Sequence, residues 1–156
     1  MFNLVTEFPV SPEFGDKPHK EYFEDFLDAL GVPKESYAPP IEATNRQIRW
    51  FKDRYENYTL GDPVTAILAA LGPGNELATD QRLRLMYNAL KTHYGVSENG
   101  LAFFSVHING VEGDHYEVIR KKLIERVPAQ GELIEREANY AVSESAKFWT
   151  ALHEMR

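Results

Sequence analysis

At 156 residues and 43% hydrophobic side chains, the chain is long enough for one domain with a buried core and too apolar for global disorder. A formal charge of −7 argues against a general nucleic-acid binder, which needs a basic face to neutralise phosphates. The absence of cysteine removes disulfides, thiolate metal sites and any thiol nucleophile.

The N-terminus, MFNLVTEFPVSPEFGDK, has no basic segment followed by a long apolar run, so it does not read as a signal peptide. No stretch approaches the roughly 18–20 apolar residues that span a bilayer. A soluble, cytoplasmic protein is the default expectation. The first 18 residues carry three prolines and a glycine and read as largely irregular.

From His19, HKEYFEDFLDAL predicts a helix whose inner face holds His19, Phe23, Phe26 and Leu30. Gly31 is a natural stop. A second helix runs through NRQIRWFKDRYENY, with Ile48, Phe51, Tyr55 and Tyr58 on one side. Asp62-Pro63 reads as an N-cap with proline at the first helical position, opening DPVTAILAAL. That segment is nearly all small and apolar, which predicts close packing on several sides.

GPG at 72–74 predicts a break or bend. The helix after it places Glu76, Leu83, Met86 and Leu90 inward and stops at Gly95. Ser97 is a candidate cap for a helix running to about Arg126. After Pro128, Ile134, Ala138, Ala141, Ser145, Phe148, Leu152 and Met155 keep an unbroken 4-3-4-3 rhythm. No alternating strand pattern of useful length is present. The expectation is a single all-α domain over 1–156, a bundle of five or six helices.

The chemistry concentrates in FFSVHINGVEGDHYEVI, residues 103–119. On a regular helix Asp114 falls about 20° from His107, while His115 lies about 80° and Glu112 about 140° away. One extra residue near Asn109-Gly110, as in a π-bulge, turns everything downstream back by about 100°. His115 and Glu112 then flank His107, and the segment behaves as H-x3-E-x2-H. Gly110, which costs roughly 1 kcal/mol of helix propensity relative to alanine, suits such a distortion. The plainer reading is a half-exposed helix with polar positions, or two helices separated by glycines.

His19 and Glu76 add to the first reading. Each also has an ordinary explanation, as a helix-start residue and as an acid at a helix N-terminus. Histidine with carboxylate and no thiolate suits non-haem iron or manganese rather than structural zinc. No G-x-S-x-G, Walker or dinucleotide fingerprint accompanies these residues.

Together these segments resemble the haem-oxygenase-like di-iron oxidases, also described as iron-containing redox enzymes, relatives of the thiaminase and PQQ-synthesis helical proteins. The family pattern is an early Glu then His, a Glu on a middle helix and a late H-x3-[DE]-x2-H. The resemblance runs from about residue 3 to the C-terminus. It implies Glu7, His19, Glu76, His107, Glu112 and His115 as metal ligands. Because the late motif carries one residue more than the pattern, Asp114 stands as a rival to Glu112.

The implied fold is a haem-oxygenase-like helical bundle shortened at its N-terminus, since such folds begin with two further helices. A homodimer is one way to complete it. The implied chemistry is O2 activation by two iron ions, with manganese as the alternative metal, to oxidise a small organic substrate. Phe103, Phe104 and Tyr116 would either wall the pocket or pack the core. A thiaminase-type reaction lacks its cysteine here. The alternative is a metal-free relative, either a cofactor-independent oxidase or a non-catalytic ligand-binding or dimerisation module with the Ile134–Met155 seam as its partner surface.

Overall fold

The computed structural model describes residues 17–36, 42–108 and 112–154, with the backbone alone described at 19, 42–48, 112–115 and 152. Every regular element among them is helical, as the sequence expects. The helices are α1 (His19–Ala29), α2 (Glu42–Tyr55), α3 (Pro63–Leu71), α4 (Leu77–Tyr94), α5 (Ala102–Val106), α6 (Glu112–Ile124) and α7 (Val127–Glu154). No helix among the described residues is long and apolar enough to cross a membrane. The chain divides into two compact units, Met1–Tyr37 with Thr79–His115, and Ala38–Ala78 with Tyr116–Arg156.

The first unit packs Phe26, Val96, Leu101 and Phe104 into a buried cluster flanked by Leu83, Tyr87 and Leu90. The α1 face differs from the expected one. Tyr22 and Phe26 are buried, whereas Phe23 and Leu30 are 43% and 41% exposed. The turn at Ser97–Leu101 lies against the end of this helix. A Cβ on Gly100 would stand 2.5 Å from the Ala29 methyl, while Tyr22 and Phe26 face inward with Leu27 packed against the same cluster.

On α4 the inner line runs through Leu83, Tyr87 and Leu90, and Met86 is exposed. Tyr87 can face the core because its hydroxyl emerges at the rim and donates to Glu98 Oε2 at 2.8 Å. Ser97 closes a turn rather than capping a helix. Its Oγ accepts from Gly100 N at 3.3 Å and its carbonyl from Leu101 N at 2.9 Å. The helix begins later, at Ala102.

In the second unit, Asp62 caps α3 as expected, accepting from the amides of Val64 (3.2 Å) and Thr65 (3.3 Å). Thr65, Ala66, Ala69 and Ala70 are fully buried. Ala66 and Ala70 meet Tyr55 and Ala141, while Ala69 meets Ile119 and Leu123. Small side chains permit this contact on more than one side.

GPG does not break the chain. Gly72–Glu76 forms a wide π-type turn that leads directly into α4. Cβ atoms at Gly72 and Gly74 would sit 2.5 Å from Ile119 Cγ2 and 2.7 Å from Ala141 Cβ, so both glycines are required by close approach. The long helix α7 kinks at Gln130 (φ −137°, ψ 20°). Its Ile134 and Ala141 belong to the core of this unit, so that part of the seam is a packing face.

The same helix buries a carboxylate. Glu137 is 0% exposed and receives Arg54 Nε and Nη2 at 3.1 and 2.9 Å, Tyr55 Oη at 3.0 Å, Tyr58 Oη at 2.7 Å and Arg136 Nε at 2.9 Å. Burial by itself would raise its pKa. The donors outweigh burial and hold it at about 2, while burial and the bond to the carboxylate push the Tyr55 hydroxyl up.

Glu137→Ala should therefore cost about 3 kcal/mol in denaturant unfolding, because it leaves Arg54 and two tyrosines without their acceptor. Its pH dependence has a definite sign. Between pH about 2 and the ordinary carboxylate value of 4.5, the unfolded chain binds the proton and the folded one does not. The network's contribution is complete above that window and lost as pH falls through it. The variant should lack this segment of acid sensitivity.

Candidate functional site

The stretch 101–108 is positioned by its apolar residues. Leu101 and Phe104 are almost completely buried, and the Phe104 ring meets Phe26 edge-on at 5.0 Å and Phe103 at 5.4 Å. This anchoring carries His107, one turn further on, into the interior, where it is 7% exposed.

Its Nδ1 lies 2.6 Å from the carbonyl oxygen of Phe103. A carbonyl only accepts, so Nδ1 carries a proton and Nε2 is the ring's other nitrogen. The Phe103 ring covers the imidazole, with centroids 4.4 Å apart.

At His107 and Ile108 the helix takes π spacing. Residues 109–111 lie outside the described ones, and α6 begins at Glu112. The widening is thus already present two residues before Asn109-Gly110. Such spacing alters the hydrogen bonding of nearby carbonyls. The Ile108 carbonyl accepts from the Arg84 guanidinium, whose Nε also donates to Asp80 Oδ2 at 2.8 Å.

The other candidate ligands are placed unevenly. His19 is the first residue of α1, and Glu112, Asp114 and His115 all lie at the start of α6; for these four the backbone alone is described. Glu7 lies outside the described residues. Glu76, half-buried, ends the wide turn of the second unit. Among the described residues no group of three or more metal-capable side chains converges. Of the six-residue set, only His107 and Glu76 have described side chains.

Those two fit a metal. A buried imidazole with its Nδ1 proton committed to a backbone oxygen presents Nε2 as donor, the usual orientation of a metal-binding histidine. A carboxylate such as that of Glu76 is an oxygen donor, and nitrogen and oxygen donors of these two kinds suit iron or manganese.

The three expected pocket residues behave differently from one another. Phe104 is core, Phe103 lies against His107, and Tyr116 is half-buried in the second unit. Sequence reasoning missed Arg84. Its spacing four residues after Asp80 reads only as a surface ion pair, and nothing local signals the carbonyl it reaches.

Two comparisons return nothing: no curated protein and no solved structure matches the chain. A third is positive. The sequence model of a family described as iron-containing redox enzyme matches residues 10–149.

Arg84→Met should remove the charge-assisted bond to Ile108 and keep most of the side-chain length. Such a bond is worth about 1.5–3 kcal/mol, so amide exchange between residues 104 and 116 should accelerate at least about tenfold. Unchanged exchange there would show that the guanidinium does not hold this turn.

Proposed function

We propose that this chain, which belongs to the family of iron-containing redox enzymes, is a non-haem di-iron oxidase that uses O2 to oxidise a small organic substrate. The ligands in this reading are Glu7, His19, Glu76, His107, Glu112 and His115. The observation that carries it is the buried His107 with Nδ1 bound to the Phe103 carbonyl. Metal-binding histidines donate their second ring N–H in this way, and that supports the reading.

The iron pair, when bound, supplies the electrons for reducing O2. The chain's own residues do the rest. Phe103 supports His107 twice, through its carbonyl on Nδ1 and its ring on the imidazole face. Leu101 and Phe104 keep water from that side. Arg84 holds the Ile108 carbonyl, which favours the widened backbone from which α6 departs.

That widening also bears on the choice between Asp114 and Glu112. By helix geometry alone, one extra residue ahead of α6 would turn Asp114 off the His107 face by about 100° and bring Glu112 toward it. The reading therefore takes Glu112. A reducing cytoplasm, which keeps iron ferrous, is the compartment it implies.

Anaerobic Fe(II) titration should reach two ions per chain, followed by a transient visible absorption on exposure to O2. His107→Ala and His115→Ala should each lower the stoichiometry or weaken binding by at least about tenfold. Fewer than one ion per chain, unaffected by either substitution, would rule the proposal out.

A further inference from the structure

A second feature of the chain lies wholly within its second unit. There α2, α3, the wide turn and α7 border a partly open cavity of about 190 Å³, with Trp50 and Phe51 on one side and Ala70, Gly74 and Ala141 among its small residues. Neither Phe103, Phe104 nor Tyr116 borders it. Among the described residues no ionisable side chain lines it either.

An apolar cavity of about 150 Å³ accepts benzene, so this one has room for a single six-membered ring and little more. Trp50 and Phe51 offer aromatic surface for offset or edge contact with such a ring. Its polar lining is neutral, an amide from Asn75 and a hydroxyl from Ser145, each able to make more than one hydrogen bond. The indole of Trp50 also carries a buried Nε1–H that has no hydrogen-bond partner among the described residues.

We infer that this cavity binds a neutral, single-ring compound bearing one small hydrogen-bonding substituent. A charged group would meet no counter-ion among the described lining residues and would lose part of its hydration, which disfavours it. The cavity and the candidate metal ligand Glu76 share one turn, since Asn75 in the wall immediately precedes that carboxylate. The ring compound is accordingly assigned as the substrate class of the oxidase. That last step rests on the di-iron reading; the binding itself does not.

The test uses the full chain without metal, titrated with phenol, toluene, benzoate and benzylamine while the Ala70 and Ala141 methyl signals are followed by NMR. Phenol and toluene should give saturable shifts, phenol the tighter of the two. Benzoate and benzylamine should bind at least about tenfold more weakly. Ser145→Leu should abolish the shifts, and Ser145→Ala, which keeps the space, should retain toluene binding and reduce the preference for phenol.

Thermal melts of both variants establish that they are folded. Absence of saturable shifts, equal binding of the charged probes, or an unaltered phenol shift in folded Ser145→Leu would each overturn the inference. If phenol binds and iron does not, the ring site stands and the oxidase reading falls. If iron binds and no ring compound does, the reverse holds.

Discussion

Ile119 and Ala141 approach the backbone at Gly72 and Gly74 so closely that a Cβ at either glycine would overlap them, at 2.5 and 2.7 Å. Only glycine allows that approach, and glycine is a poor helix former. Pro73 between them has no amide proton to give and would clash with the carbonyl a turn earlier in an ordinary helix. A turn of π spacing accommodates all three residues without ending the helix, so α3 runs on through Gly72–Glu76 into α4. The consequence is chemical. Asn75 is brought into a cavity wall and Glu76 into a half-buried position, where a regular helix would have aimed them differently.

The first unit widens its helix by other means. At His107 and Ile108 the wall is aromatic, and the perturbed backbone is served by a side chain from α4, Arg84 reaching the Ile108 carbonyl. The buried imidazole is tied to the turn before it. In both units a local loss of regular helix coincides with a candidate ligand, which is the usual association between π-type turns and functional positions. The second unit balances this with a rigid feature elsewhere. Glu137, with its two arginines and two tyrosines, cross-links α7 to α2 and the segment after it through bonds of 2.7–3.1 Å.

Punctuation and small-residue packing were legible in the sequence because they are local. Asp62 caps α3, and Gly31 and Gly95 adopt φ of 71° and 63° at the ends they were expected to mark. The family resemblance also holds, since the family match spans 10–149. Helix faces were less legible. On α1 and α4 the periodicity allows two neighbouring lines, and the lines taken pack Phe26 against Leu101 and Phe104 and leave the Tyr87 hydroxyl to Glu98. Arg84 and Glu137 carried no signal at all, because their partners lie 24 residues away for Arg84 and up to 83 away for Glu137. GPG was read as a break or bend because its propensities say so. The tertiary contact that keeps it helical is invisible from the three residues alone.

The central claim is that His107 Nε2 is a metal donor. Crystals grown anaerobically with Fe(II), measured on either side of the iron absorption edge, test it directly. The account predicts two anomalous peaks a few ångströms apart, one of them bonded to His107 Nε2 with Glu112 and His115 beside it. Iron bound elsewhere, with His107 Nε2 contacting only protein atoms, would contradict it.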